Sequence, residues 1–132
     1  MKEIRIIIEK SDDLYSAYAE NVEGIYGGGD TVAEAKQSVV DAIALLKEHN
    51  GLENLPEALK GNYKLVYKFD AVSLLNYYKG IFTNAALERI TGINQKKIQA
   101  YAAGIKKPRP AQTQKIEIGL HNLANDLLAV EL

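Results

Sequence analysis

The sequence contains no cysteine and no tryptophan, and among its 132 residues are only three prolines and one methionine. Without cysteine the chain can form no disulfide, no thiol nucleophile and no zinc–thiolate site. It has no run of about 20 apolar residues, which a membrane helix needs, so we expect no transmembrane segment. The first residues alternate charged and apolar side chains, unlike the long apolar region of a signal peptide. These absences predict a cytoplasmic protein.

The charged residues are unevenly distributed along the chain. Hydrophobic residues make up 47% and charged residues 25%, a balance that is typical of a folded domain and excludes a disordered chain. Residues 1–79 hold nine Lys or Arg against thirteen Asp or Glu, whereas residues 80–132 hold seven against four. All seven of these later cations lie between Arg89 and Lys115, where no acidic residue occurs. Such a stretch favours binding to a phosphate backbone, and a solvated lysine face is the alternative.

The first half of the sequence predicts a small αβ domain. A compact β-branched run at Ile4–Ile8 favours a strand, and Tyr63–Phe69 alternates clearly. Between them, Thr31 and Glu34 form a capping box that begins an amphipathic helix. We expect one helix on one face of a mainly antiparallel sheet. The predicted order is β-β-β-α-β, with strands near residues 4–9, 14–20, 24–28 and 63–69 and the helix at 32–49.

Two features of this half invite a catalytic interpretation. Gly27-Gly28-Gly29 precedes a helix, but it lacks the lysine of a Walker phosphate loop, so we interpret it as a flexible strand-to-helix bend. Glu9, Asp41 and Asp70 could suggest a two-metal nuclease, yet no acid lies in the middle of the first strand, where a rigid metal site would need one. We therefore predict no catalytic residues, no metal and no cofactor.

The second half predicts only helices, two of which are joined by a tight turn. Thr83 is a good N-cap for a helix at Asn84–Thr91, and Gly92-Ile93-Asn94 can form the turn because glycine adopts left-handed backbone conformations. Asn94 then caps a helix at residues 95–103. This spacing is typical of the helix-turn-helix, and a helical dimerisation domain with basic flanks is the alternative. Helices at 70–79 and 111–130 flank the pair, the last expected to close a bundle through Ile116, Leu120, Leu123, Leu127 and Leu128.

The polar residues of the second helix have the chemistry of base readers. Gln95, Lys96, Gln99 and Ala100 are left facing outward when Ile98 and Tyr101 pack inward. Glutamine can contact adenine, lysine can contact guanine, and the alanine methyl group can contact thymine. The cations that follow the helix are placed for contacts with the DNA backbone. The predicted DNA-binding residues are Thr83, Asn94, Gln95, Lys96, Lys97, Gln99, Lys106, Lys107 and Arg109.

The two halves together resemble a HicB-type antitoxin. In the first half the resemblance lies in the two opening strands and in the block from Val22 to Ala35, which runs through the glycine-containing strand into Asp-Thr and the amphipathic helix. The second half resembles lambda-repressor-like domains. Its matching residues are Thr91-Gly92-Ile93-Asn94, Ile98, Gly104 and Lys106-Lys107-Pro108. One departure is Glu88, which stands where many helix-turn-helices have a small alanine and which must point outward or alter the interhelical angle.

The resemblance implies an α+β protein with two domains. Residues 1–69 would be a partial, catalytically inactive ribonuclease-H-like domain that binds a HicA-type, mRNA-cleaving toxin through the helix Val32–Leu46 or the strand Tyr63–Phe69. Residues 70–132 would be a helix-turn-helix domain that binds operator DNA as a homodimer or higher oligomer and represses the operon. The alternatives are a stand-alone transcriptional regulator with a ligand-sensing N-terminal domain and a metal-dependent nuclease.

Overall fold

A computed structural model describes residues 1–132, apart from the side chain of Leu52. The fold is mixed α+β, with a four-stranded sheet and five α-helices among the described residues. Two short 3-10 turns, Leu52–Asn54 and Glu57–Leu59, precede the last strand. The strands are β1 (Lys2–Lys10), β2 (Tyr15–Ala19), β3 (Tyr26–Gly29) and β4 (Tyr63–Phe69), and the helices are α1 (Val32–His49), α2 (Ala71–Tyr77), α3 (Asn84–Thr91), α4 (Gln95–Ala102) and α5 (Pro110–Leu128).

The chain divides into two compact units, Met1–Ser73 and Leu74–Leu132. The division falls inside α2, four residues after the boundary that we place between 69 and 70 from the sequence. Among the helices that the structure describes, none is both long enough and apolar enough to cross a membrane.

The sheet of the first unit has the strand order β3-β2-β1-β4. β1 pairs with β2 and β2 with β3 in antiparallel fashion, whereas β1 and β4 are parallel, with Ile4 opposite Leu65 and Ile8 opposite Phe69. A parallel pair needs a long crossover connection, and the segment containing α1 supplies it. The sheet is therefore mixed, with two of its three pairings antiparallel.

The core of the first unit combines one face of the sheet with α1. Ile4, Ile6 and Ile8 alternate along β1 and are fully buried, as the period of a strand requires. Val39 is equally buried on α1. At the start of this helix the Thr31 hydroxyl accepts a hydrogen bond from the Glu34 amide at 3.1 Å, so the predicted N-cap is present.

The glycine run belongs to β3, so the predicted third strand is present at residues 26–29, whereas our interpretation of the run as a flexible bend is wrong. Gly27 and Gly29 lie in β3 beneath α1, where a β-carbon on Gly27 would collide with the Ser38 side chain and one on Gly29 would lie 2.5 Å from Glu34 Cβ. The Gly28 amide donates to Ser38 Oγ at 2.8 Å. The glycines therefore allow the helix to approach the strand closely, which side chains would prevent.

The second unit has its own apolar core, formed by α2, α3, α4 and the first half of α5. Our prediction that Leu127 and Leu128 close the bundle is wrong, because these side chains are 61% and 84% exposed. Leu120 is partly buried against the core. The last turns of α5 thus extend past the core, whose buried members are Leu75, Leu87, Ile93, Ile98, Tyr101 and Ile116.

Candidate nucleic-acid interface

Two eight-residue helices, α3 and α4, meet at a tight turn in the second unit. Thr83 caps α3, since its hydroxyl accepts a hydrogen bond from the Ala86 amide at 3.0 Å. Gly92 ends this helix in the left-handed conformation, with φ +76°, and its amide donates to the Glu88 carbonyl at 2.8 Å. A residue with a β-carbon would be strained at that position, so glycine is the residue that lets α3 stop and turn.

Buried hydrogen bonds hold the turn in one conformation. The Thr91 hydroxyl donates to the Leu87 carbonyl at 2.7 Å and accepts from the Ile93 amide at 3.1 Å. Ile93 then inserts into the apolar core, where it is 3% exposed. Because both polar and apolar contacts converge on three consecutive residues, the relative placement of α3 and α4 is well defined.

Two side chains cap the start of α4. Asn94 Oδ1 accepts a hydrogen bond from the Lys96 amide at 2.8 Å, as an N-cap does. Glu88, one turn before the end of α3, accepts from the Gln95 amide through Oε1 at 2.9 Å. The unusual acid therefore reaches across the turn to the first residue of α4. Amides that are otherwise unpaired at a helix start are satisfied here from within the protein.

The remaining sides of α4 are divided between core and solvent. Ile98 and Tyr101 are buried, and the carbonyl of Ala102 accepts from Asn76 Nδ2 of α2 at 2.9 Å. Ala100, which we expect to face outward, is half-buried. The exposed residues of α4 include the four that the sequence predicts to contact DNA: Gln95, Lys96, Lys97 and Gln99.

The predicted base readers surround an open cleft of about 350 Å³ between α3 and α4. The structure thus brings Gln95, Lys96 and Gln99 together on one surface. Thr83 does not line this cleft; its hydroxyl serves as the cap of α3. The residues that line the cleft are Asn84, Glu88, Asn94, Gln95, Lys96 and Gln99.

A basic segment, Lys106 to Arg109, follows α4 closely. Gly104, with φ +75°, ends the helix, and the amides of Ile105 and Lys106 donate to the Ala100 carbonyl at 2.9 and 3.3 Å. Lys106, Lys107 and Arg109 are exposed, with Arg109 at the N-cap position of α5. In the part of the chain that the structure describes, none of these three cations is in an ion pair with a carboxylate. Their charges are therefore available to an external anion.

Two residues of the cleft are missing from the sequence-based set, Asn84 and Glu88. Asn84 is exposed at the first position of α3 and carries no motif that would have revealed it. Glu88 does stand out in the sequence as an acid where a small residue is usual, but its hydrogen bond to Gln95 depends on how the turn folds.

Comparisons with protein-family models, with curated proteins and with solved structures find no match for this chain. Among the described residues there is also no group of three or more His, Asp or Glu side chains that could hold a metal ion. Asp70 instead accepts hydrogen bonds from the amides of Lys10 and Ser73, at 3.0 and 2.8 Å.

Proposed function

We propose that the second unit is a helix-turn-helix domain that binds operator DNA, with α4 as the recognition helix in the major groove. The observation that carries this proposal is the division of α4 into two sides. Ile98 and Tyr101 fix the helix to the core, while Gln95, Lys96 and Gln99 remain exposed around one cleft. Glutamine and lysine are suited to reading base edges, and an eight-residue helix held at both ends presents them in a constant arrangement.

The basic segment supplies the contacts that do not depend on sequence. Lys106, Lys107 and Arg109 are exposed immediately after α4, and Lys97 is exposed on the helix itself. Lysine and arginine contacts to phosphates set the register of a protein on the duplex and contribute most of its salt-dependent affinity. Thr83 and Asn94 act in this proposal mainly by capping the two helices.

The first unit has the opposite charge balance and a different role. Residues 1–73 hold eight Lys or Arg against thirteen Asp or Glu. A protein that cleaves mRNA must itself be basic to hold RNA, so an acidic partner suits it by charge complementarity. We propose that this unit is the partial ribonuclease-H-like domain of a HicB-type antitoxin. It neutralises a HicA-type toxin in the cytoplasm, catalyses no reaction itself, and acts as a homodimer or higher oligomer, so that two recognition helices meet two half-sites.

DNA binding is tested by selecting duplexes from a random-sequence library with the full-length protein and measuring their affinity across a salt series. We expect the selected duplexes to bind at least a thousandfold more tightly than unselected ones, as specific DNA-binding proteins do. The affinity should fall linearly with the logarithm of salt concentration. Failure to enrich any sequence, with binding no tighter than to unselected DNA, would contradict the helix-turn-helix proposal.

The antitoxin role is tested by purifying the tagged protein from its native operon. A small basic protein should co-purify, and expressing that protein alone should stop growth until this chain is co-expressed. The stand-alone regulator predicts instead that the chain purifies alone and that a small molecule alters its affinity for DNA. The nuclease alternative predicts cleavage of an RNA–DNA hybrid in the presence of a divalent metal ion.

A further inference from the structure

Glu88 places a negative charge inside the proposed DNA-binding cleft. It is the one carboxylate among the described residues that line the cleft, where the other side chains are amides and a lysine. Its Oε1 accepts from the Gln95 amide at 2.9 Å. No hydrogen bond of its Oε2 occurs among the described residues, although Glu88 is only half-buried and lines an open space. One carboxylate oxygen is thus engaged with the protein and the other is available in the cleft.

The charge of Glu88 has a consequence besides capping. Asn94 already caps α4 through the Lys96 amide, and a neutral amide oxygen could also accept from Gln95, although a carboxylate binds this helix start more strongly. A fixed negative charge also opposes the approach of DNA phosphates. Its presence beside Gln95, Lys96 and Gln99 therefore reduces affinity for DNA in general.

We infer that Glu88 is a specificity-determining residue of the proposed recognition surface. An ionised carboxylate can only accept hydrogen bonds. In the major groove cytosine offers the N4 amino group, and Glu is one of the side chains that accept from it. Glu88 therefore favours a G·C pair whose cytosine faces the start of α4, and it disfavours a phosphate or a carbonyl oxygen there. This inference rests on the proposed function, since it requires that α4 lies in the major groove.

The variant Glu88→Gln removes the negative charge of the side chain and keeps its shape. The glutamine carbonyl can still accept from the Gln95 amide, so the start of α4 should keep its cap, while the repulsion and the charged acceptor are lost. Binding constants of the full-length variant are measured on duplexes that the wild type selects from a random-sequence library and on unselected duplexes. We expect several-fold tighter binding to unselected DNA and a ratio of specific to non-specific affinity about tenfold lower. Selection with the variant should lose the cytosine preference at one position.

Glu117→Gln is the matched control, because Glu117 is an exposed acid on α5 that does not line the cleft. It makes the same change in net charge and should leave the affinity ratio and the selected sequence unchanged. Thermal unfolding of Glu88→Gln and Glu88→Ala provides a second measurement. The alanine variant, which cannot accept from Gln95, should unfold at a lower temperature than the glutamine variant.

Two results would overturn the inference. If Glu88→Gln lowers both affinities in parallel, or leaves their ratio and the selected sequence unchanged, Glu88 is a structural cap and no more. If the wild-type protein enriches no duplex at all, the proposed function fails and the role of Glu88 fails with it. The two failures are distinguished by the wild-type selection, which is independent of the variant.

Discussion

Gly119 of α5 lies directly against the carbonyl oxygen of Ile90 in α3, with no room between them for a β-carbon. The two helices therefore meet at backbone distance, and Ile116, one turn earlier on α5, is buried in the core beside them. Glycine inside a helix normally destabilises it relative to alanine by about 1 kcal/mol. At Gly119 the close approach of α5 to α3 outweighs that loss of stability, because it holds α3 against the rest of the second unit.

Replacing Gly119 with alanine should lower the free energy of unfolding by about 1–3 kcal/mol, since an added methyl group must displace backbone. Chemical denaturation of the full-length protein measures the change. Gly80→Ala is the control, because a β-carbon there meets nothing within 4 Å. Equal stability of the two variants would mean that α5 can move away from α3 at no cost.

Gly29 of β3 makes a similarly close approach to α1 in the first unit. A β-carbon on Gly29 would lie 3.0 Å from the Ala35 amide nitrogen, which belongs to the backbone of α1 and cannot rotate away. We expect Gly29→Ala to destabilise the protein by about 1–3 kcal/mol. Gly51→Ala, at a site with nothing within 4 Å, should change stability little. If Gly29→Ala is as stable as Gly51→Ala, the close approach of helix and strand is not needed for folding.

Base reading and phosphate binding can be separated with two substitutions in the second unit. Gln99→Ala should weaken the binding free energy for the selected duplex by about 1–3 kcal/mol. It should therefore reduce the difference in affinity between selected and unselected DNA. Lys107→Ala should weaken both equally and reduce the salt slope by about one unit. Both are measured as binding constants across a salt series. If Gln99→Ala leaves the ratio of specific to non-specific affinity unchanged, the assignment of the exposed side of α4 as the base-reading side is wrong. If Lys107→Ala leaves the salt slope unchanged, the basic segment is only solvated and does not bind phosphates.

Tyr18 should make the free energy of unfolding depend on pH in the alkaline range. Burial raises the pKa of its phenol above the usual value of 10.0, and the nearby carboxylate of Glu9, which accepts from the Tyr18 hydroxyl at 3.3 Å, raises it further. A raised pKa in the folded state means that the unfolded chain loses this proton first. Tyr18 therefore contributes stability that is fully present below about pH 10 and is lost as pH rises through the folded-state pKa.

Tyr18→Phe should accordingly flatten the dependence of unfolding free energy on pH above about pH 10, because phenylalanine cannot ionise. Denaturant titrations at pH values on both sides of 10 measure the slope. Glu9→Gln, which removes the charge but keeps an acceptor, should give an intermediate slope. Identical slopes for the wild type and Tyr18→Phe would show that other groups control alkaline unfolding.

The bounds of helices and strands could be predicted accurately from the sequence where neighbouring residues mark them. The capping box at Thr31 and Glu34 marks the start of α1 correctly, and α3 begins and ends at the predicted residues because Thr83 and Gly92 are strong boundary signals. The alternation of Tyr63–Phe69 also predicts β4 with correct bounds. In each case the deciding interactions lie within a few residues along the chain, which is the range that sequence patterns describe.

The amino-acid sequence by itself therefore determined the mixed αβ and all-helical halves, the turn at Gly92 and the exposed polar residues of α4. Only the tertiary structure decided that β4 pairs in parallel with β1, that the glycines of β3 lie under α1, and that Leu127 extends beyond the core. It also decided that Glu88 caps α4. The physical reason is that backbone caps and side-chain periodicity are encoded locally. Close approach, strand partners and burial instead depend on residues that are distant in sequence and meet only when the chain has folded.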